Sequence, residues 1–319
     1  MAGAPATRVL ADAAVDLDAL RAELEGTGAR VEAIRHAPAG DDVVGLVAFE
    51  RPVGEAELAR LPALRVLVTP SVGFDHLDLD AARRHGGTWV CHVADYCVDE
   101  MADTALALVL ALMRGVVALD RHVRAGGWDA AAAGRLRRVR GTRLGVVGYG
   151  CIGAALARRA CVLGFEVWAA DPALTAPELE RDGVRLASLE ELLGACHVVS
   201  LHAPLTARTR GLIGADELGL MPRGALLVNT ARAGLLDTAA VLDALASGRL
   251  GGAALDVLDV EPPTAEHPAP RAPNLIVTPH SAYASAEADA ELQRRVGAAI
   301  RAVLEGRPPA GALVSPSRR

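Results

Sequence analysis

The chain has 319 residues, 51% of them hydrophobic and 3% aromatic, and 33 Lys and Arg stand against 39 Asp and Glu for a formal charge of −6. This mild acidity, broken only by the short basic run RLRRVR at 135–140, argues against a nucleic-acid partner. The five cysteines, Cys91, Cys97, Cys151, Cys161 and Cys196, show no CxxC or other metal-ligand spacing, which points to reduced thiols and no metal site. At roughly 100 to 200 residues per domain, the length predicts two domains.

In chain order, RVLADA, ARVEAI, VVGLVAF, RVLVTP and TWVCHV predict strands, and DLDALRAEL, GEAELARL and DLDAARRHG predict helices with acidic residues early in the helix. The start, MAGAPATRVLADAAVD, lacks the apolar core of an export signal. One helical pattern runs from 99 to about 128. Its most apolar part, TALALVLALM at 104–113, stops at Arg114, short of the roughly 20 residues a bilayer requires, so the expectation is a cytoplasmic protein with no membrane contact.

After the loop GGWDAAAAGRLRRVRGT, a second series of strands is predicted at RLGVVG, EVWAAD, HVVSLH, ALLVNT, GAALDV and LIVTPH, most of them separated by helices. A Pro-rich loop, EPPTAEHPAPRAPN, precedes the last strand. A helix from about 284 to 304 and a low-complexity tail, GRPPAGALVSPSRR, follow it. Strands alternating with helices specify an α/β chain with doubly wound parallel sheets, whose ligands bind outside the carboxyl ends of the strands.

The strongest motif is GVVGYGCIGAALARRA, with Gly148, Gly150 and Gly153 in the GxGxxG pattern between a predicted strand and a helix. There the first glycine makes a tight turn, the second lets the backbone approach a pyrophosphate, and the third brings the helix close. Asp171 ends the next strand at the offset expected of a ribose-binding acid, and it favours NAD because a carboxylate repels a 2′-phosphate.

Three further residues follow strands: Arg232 after ALLVNT, Glu261 in LDVLDVEPP and His280 in LIVTPHSAY. Singly, each has a plain explanation: a salt bridge from Arg232 to Asp237, a solvated glutamate before two prolines, a hydrogen-bonded histidine. Together they supply a fork for a carboxylate, an acid/base of a type that titrates near neutrality, and a partner to orient it. Beside a nicotinamide, such a set suits hydride transfer on a 2-oxo or 2-hydroxy acid. Asp237, which precedes TAAVLDALA, is expected to cap that helix.

Over nearly its full length the chain resembles the D-isomer-specific 2-hydroxyacid dehydrogenases. SVGFDHLDL, DEMADTALALVLALMRG, GVVGYGCIG, LHAPLTARTRGLI, LMPRGALLVNTARAGLLD, AALDVLDVEPP and PHSAY occur in that family's order. The resemblance implies that Arg232 holds the substrate carboxylate with help from the backbone of Val72 and Gly73, that His280 is the general acid/base, and that Glu261 is bonded to it. Cofactor contacts are implied at Gly148, Gly150, Cys151, Ile152, Gly153 and Asp171. His202, Ala203 and Pro204, the turn Thr230, Ala231 and Arg232, and Asp256 and His280 near the nicotinamide complete the implied set.

The resemblance also implies a NAD-binding Rossmann domain at 99–283 inserted into a flavodoxin-like substrate domain made of 1–98 and 284–319, with hinges that close a cleft and exclude water. A homodimer formed through the cofactor domains is implied as well. Cys151 stands where many relatives carry Arg. His76 resembles glyoxylate and hydroxypyruvate reductases, whereas ADYCVDEMAD resembles the C-terminal-binding-protein branch, although the Arg that branch often has nearby is missing at Thr69 and Pro70. An NAD-sensing binding protein and a phosphite dehydrogenase are the alternative readings. Arg51 is either a reader of a distal phosphate or carboxylate or, more commonly for such a residue, an ordinary loop arginine.

Overall fold

Residues 7–12, 15–49, 51–134, 136–175 and 183–316 are described in a computed structural model. The chain divides into two compact units, Met1–Tyr96 with Ser285–Arg319, and Cys97–Ala284. The described strands are β1 (Arg8–Ala11), β2 (Arg30–Ala33), β3 (Val43–Val47), β4 (Val66–Thr69), β5 (Trp89–His92), β6 (Arg143–Val147), β7 (Glu166–Ala170), β8 (Arg185–Leu186), β9 (Val198–Leu201), β10 (Ala225–Asn229), β11 (Leu250–Leu255), β12 (Leu275–Val277) and β13 (Ala312–Val314).

In the first unit the sheet order is β13-β5-β4-β3-β1-β2, all parallel except β13. The run 2-1-3-4-5 is the flavodoxin-like order. Strands β3 and β4 are buried at every residue because helices cover both faces. Alternate side chains go to opposite layers. Val9, Ala11, Val66 and Val68 pack with Leu292, Val296 and Ile300 of the helix Ala286–Leu304, while Leu10, Leu46 and Leu67 pack with Leu58, Leu61 and Leu64.

The low-complexity tail supplies β13. Left-handed glycines at Gly306 (φ 76) and Gly311 (φ 68) turn the chain back after the last helix. Ala312 and Val314 then pair antiparallel with Cys91 and Val90, which covers the open edge of β5.

The second unit has the order β12-β11-β10-β9-β6-β7-β8, parallel throughout. Its strand order reverses beside β6, between β7 and β9, which is the nucleotide-binding topology. The helix Val98–Arg114 buries Ala102, Ala105, Leu108, Val109 and Met113. The single helix expected from 99 to about 128 is broken at Gly115 (φ 62), where a side chain would come within 2.6 Å of the Ala133 side chain, and the continuation Val116–Arg124 departs at 61°. No single described helix is long and apolar enough to cross a membrane.

Pairing in this sheet aligns the strand ends. Val147 is opposite Ala170 and Leu201, Asn229 is opposite Leu201 and Leu255, and Leu255 is opposite Val277. The next residue of each strand therefore falls on one row along the carboxyl edge: Gly148, Asp171, His202, Thr230, Asp256 and Thr278.

Candidate active site

The glycines after β6 differ in what surrounds them. At Gly148 (φ 88) a Cβ would lie 2.6 Å from the Ala203 backbone nitrogen, and at Gly153 it would overlap the Gly148 carbonyl, so both are required by the protein itself. At Gly150 a Cβ would meet nothing within 4 Å, and φ −73 with ψ −166 suits any residue. That open face is the one a pyrophosphate would use. The first bond of the helix Cys151–Leu163 runs from Ala154 N–H to the Gly150 carbonyl. The amides of Cys151, Ile152 and Gly153 thus precede the helical ladder and are available to an anion. Cys151 itself is exposed.

At the end of β7 each carboxylate oxygen of Asp171 accepts one backbone N–H, from Tyr149 and from Ala173, both at 2.9 Å. The carboxylate is held beside the glycine turn with lone pairs left over for a ribose hydroxyl. His202 shares a 2.8 Å hydrogen bond through Nε2 with Ser200 Oγ, and burial pushes its pKa down to about 4. Its N–H donates to the Val147 carbonyl, tying the β9 end to the β6 end, with Ala203 buried and Pro204 exposed behind it.

The turn after β10 is shaped by Asn229, which is fully buried. Its Oδ1 accepts the Ala231 N–H at 3.0 Å and its Nδ2 donates to the Arg232 carbonyl at 2.9 Å, so one side chain holds two successive residues of the turn. Thr230 is 2% exposed, and its hydroxyl has no hydrogen-bond partner among the described residues. A buried hydroxyl is costly to leave so and fits a ligand that brings a polar atom. Arg232 is half-buried and donates through Nη1 to the Ala231 carbonyl at 2.9 Å. Asp237 caps the helix Thr238–Ala246, accepting the Ala240 N–H at 3.1 Å, as its position before TAAVLDALA implied.

His280 and Glu261 meet. His280 Nδ1 lies 2.7 Å from Glu261 Oε2, and Glu261 Oε1 accepts the Leu258 N–H at 2.6 Å. The carboxylate is therefore fixed to its own loop and in turn fixes the ring, whose edge-to-face neighbour is Tyr283. His280 adopts φ 50, a left-handed conformation that costs a non-glycine residue on the order of 1–3 kcal/mol. Asp256, 1% exposed, offsets that cost. Oδ1 accepts from Thr278 Oγ1 at 2.5 Å and from Ser281 N–H at 3.0 Å, Oδ2 accepts Ala282 N–H at 2.9 Å, and the Asp256 carbonyl accepts the His280 N–H at 2.8 Å. Both oxygens of Asp256 thus take part in holding the histidine turn. Asn229, Ser200 and Thr278 carry no motif in the sequence; a polar residue within or ending an apolar strand is their only signal.

In the first unit, Val72 and Gly73 lie in the half-buried loop after β4. Arg51 is held by Asp12 through Nε at 3.2 Å and Nη2 at 2.8 Å, and that carboxylate holds the guanidinium pKa above its ordinary value.

A family model described as D-isomer specific 2-hydroxyacid dehydrogenase, NAD binding domain, matches residues 106–282. The glycerate dehydrogenase of Methylorubrum extorquens is 37% identical over 264 residues, 81% of each chain. The glyoxylate reductase of Korarchaeum cryptofilum is 36% identical over 262 residues, 81% of this chain and 78% of that one. The crystal structure of D-lactate dehydrogenase from Aquifex aeolicus complexed with NAD and lactic acid matches 97% of this chain and 100% of its own with a TM-score of 0.88 at 26% identity.

Two outcomes are expected. Gly150→Ala leaves Tm unchanged while weakening NADH binding about tenfold or more by titration, whereas Gly148→Ala lowers Tm; equal NADH affinity in Gly150→Ala would remove the pyrophosphate from this turn. For His202, the folded pKa of about 4 lies below the ordinary 6.5, so between these values only the unfolded chain takes up the proton. Stability is therefore fully present above about pH 6.5 and falls as the pH drops toward 4. A Tm series across that range should fall less steeply in His202→Gln, and identical slopes would contradict the assignment.

Proposed function

The chain belongs to the D-isomer specific 2-hydroxyacid dehydrogenase family, and from that premise we propose that it interconverts small, unphosphorylated 2-oxo acids and their D-2-hydroxy acids through Arg232, Glu261 and His280. The carrying observation is the 2.7 Å contact between His280 and Glu261 on the carboxyl edge that also presents Arg232.

Bound NADH supplies the hydride that C2 of the 2-oxo acid receives. The amides of Cys151, Ile152 and Gly153 receive the pyrophosphate, Asp171 a ribose hydroxyl, and the Thr230 hydroxyl a further polar atom of the dinucleotide. Arg232 in the second unit takes a carboxylate on its guanidinium fork, and in the first unit the loop amides at Val72 and Gly73 are read as carboxylate donors. Glu261 accepts the Nδ1 proton of His280, which leaves Nε2 to give its proton to the carbonyl oxygen as negative charge develops there. In the oxidising direction the same nitrogen takes the hydroxyl proton.

Arg51 supports the choice of an unphosphorylated substrate, since its charge is already paired with Asp12. Glyoxylate and hydroxypyruvate are the first acids to try, in keeping with the relatives named glyoxylate reductase and glycerate dehydrogenase. Those enzyme relatives weigh against a purely NAD-sensing role and against phosphite as donor. Five free thiols support a cytoplasmic location, which cell fractionation reads directly.

For self-association, the exposed apolar side chains Val116 (56%), Val123 (46%) and Trp128 (89%) offer a surface on the second unit to another copy of the chain.

NADH absorbance should fall with glyoxylate or hydroxypyruvate and much less with phosphorylated acids. His280→Asn should lower kcat about 10²-fold or more, and Arg232→Ala should raise KM for the acid by a similar factor, on the order of 10². No turnover with any 2-oxo acid would sink the enzyme reading, and unchanged kinetics in Arg232→Ala would sink the carboxylate role. Light scattering should give twice the 33.0 kDa chain mass for the native protein and a single chain for Trp128→Asp; a native monomer would overturn the dimer.

A further inference from the structure

In the loop at 71–74 every carbonyl is turned onto a protein donor. The Ser71 carbonyl accepts the Val93 N–H at 3.1 Å, the Val72 carbonyl faces His92 Nδ1 at 2.9 Å, the Gly73 carbonyl accepts Ser71 Oγ at 2.5 Å, and the Phe74 carbonyl accepts the Leu77 N–H at 3.0 Å. A trans peptide directs its N–H opposite to its C=O. The amides of Val72, Gly73 and Phe74 therefore point away from those donors, and none of the three donates to an acceptor among the described residues. Three successive amides with no protein acceptor among the described residues are donors that an anion can use.

We propose that His92 is the positioning residue of this loop, its imidazole locking the Val72–Gly73 peptide so that the Gly73 N–H is presented to the substrate carboxylate. The inference rests on the reading of the loop as a carboxylate receiver. A carbonyl only accepts, so the bond at 2.9 Å requires the proton on Nδ1 of His92 and fixes the ring tautomer. The Phe74 ring meets the His92 ring edge-on at 5.3 Å, which holds the imidazole plane.

His92 is itself anchored on both sides. Thr69 of β4 is its register partner, and on the other side its N–H donates to the Gly311 carbonyl at 3.0 Å, where a side chain at Gly311 would overlap the His92 carbonyl. A second support is parallel to the first. Because Ser71 gives its hydroxyl proton to the Gly73 carbonyl, the fully buried Thr69 hydroxyl, 3.0 Å away, donates to Ser71 and fixes the following peptide.

The test compares His92→Phe, which keeps the ring packing and loses the donor, with His92→Asn, which keeps a donor. In steady-state assays His92→Phe should raise KM for glyoxylate or hydroxypyruvate about tenfold with kcat and NADH affinity within about twofold. His92→Asn should recover most of the loss. Oxalate, used as a dead-end carboxylate probe, should weaken as an inhibitor in the same order. If His92→Phe leaves both KM and oxalate inhibition unchanged while Arg232→Ala raises KM, the positioning role fails and the carboxylate reading stands. If neither variant moves KM, the underlying reading fails. A KM change accompanied by equal loss of NADH affinity and Tm would mark His92 as merely structural.

Discussion

The common register of the second sheet is the constraint on which the candidate site depends. Parallel strands covered on both faces cannot carry polar side chains along their length without burying them, so polar chemistry is pushed to the strand ends. Because Val147, Ala170, Leu201, Asn229, Leu255 and Val277 are level, six consecutive turns open on one edge. Among the described residues of this unit, the buried polar ones apart from Thr142 are Ser200, Asn229, Thr230 and Asp256, all on that edge or within two residues of it.

Buried and exposed polar groups divide the work there. Asn229 and Asp256 spend their hydrogen bonds on backbone, shaping the turns that present Arg232 and His280. The energetics favour this arrangement. Hydrogen bonds to a charged group contribute about 1.5–3 kcal/mol each, and the buried Asp256 carboxylate accepts three, enough to offset the left-handed backbone at His280. Removing Asp256 would therefore disturb the imidazole without touching it.

What could be read from sequence followed from strong local patterns. Apolar runs such as ALLVNT and VVGLVAF mark strands because nothing else buries so many consecutive branched side chains, and the spacing of Gly148, Gly150 and Gly153 marks the turn. Arg232, Glu261 and His280 stood out as charges at the ends of such runs, and the 2.7 Å contact joins two of them. The break at Gly115 was hidden because a glycine inside a helical pattern declares itself only through its neighbour, Ala133. Strand β13 was hidden because a short segment rich in Pro and Gly becomes a strand only when an edge is open to it. The pairing of Arg51 with Asp12 joins residues 39 apart, which no spacing rule reports.

The first unit is assembled from both ends of the chain, and this orders its formation in time. During synthesis all the described strands of the nucleotide-binding sheet exist once residue 277 has emerged, whereas the other sheet still lacks the helix Ala286–Leu304 and the strand that closes β5. Until residue 314 is free, β5 keeps a bare edge beside His92. A nascent chain can thus complete the unit for the dinucleotide before the one carrying Val72 and Gly73, and the strand Ala312–Val314 finishes the support of the loop after it.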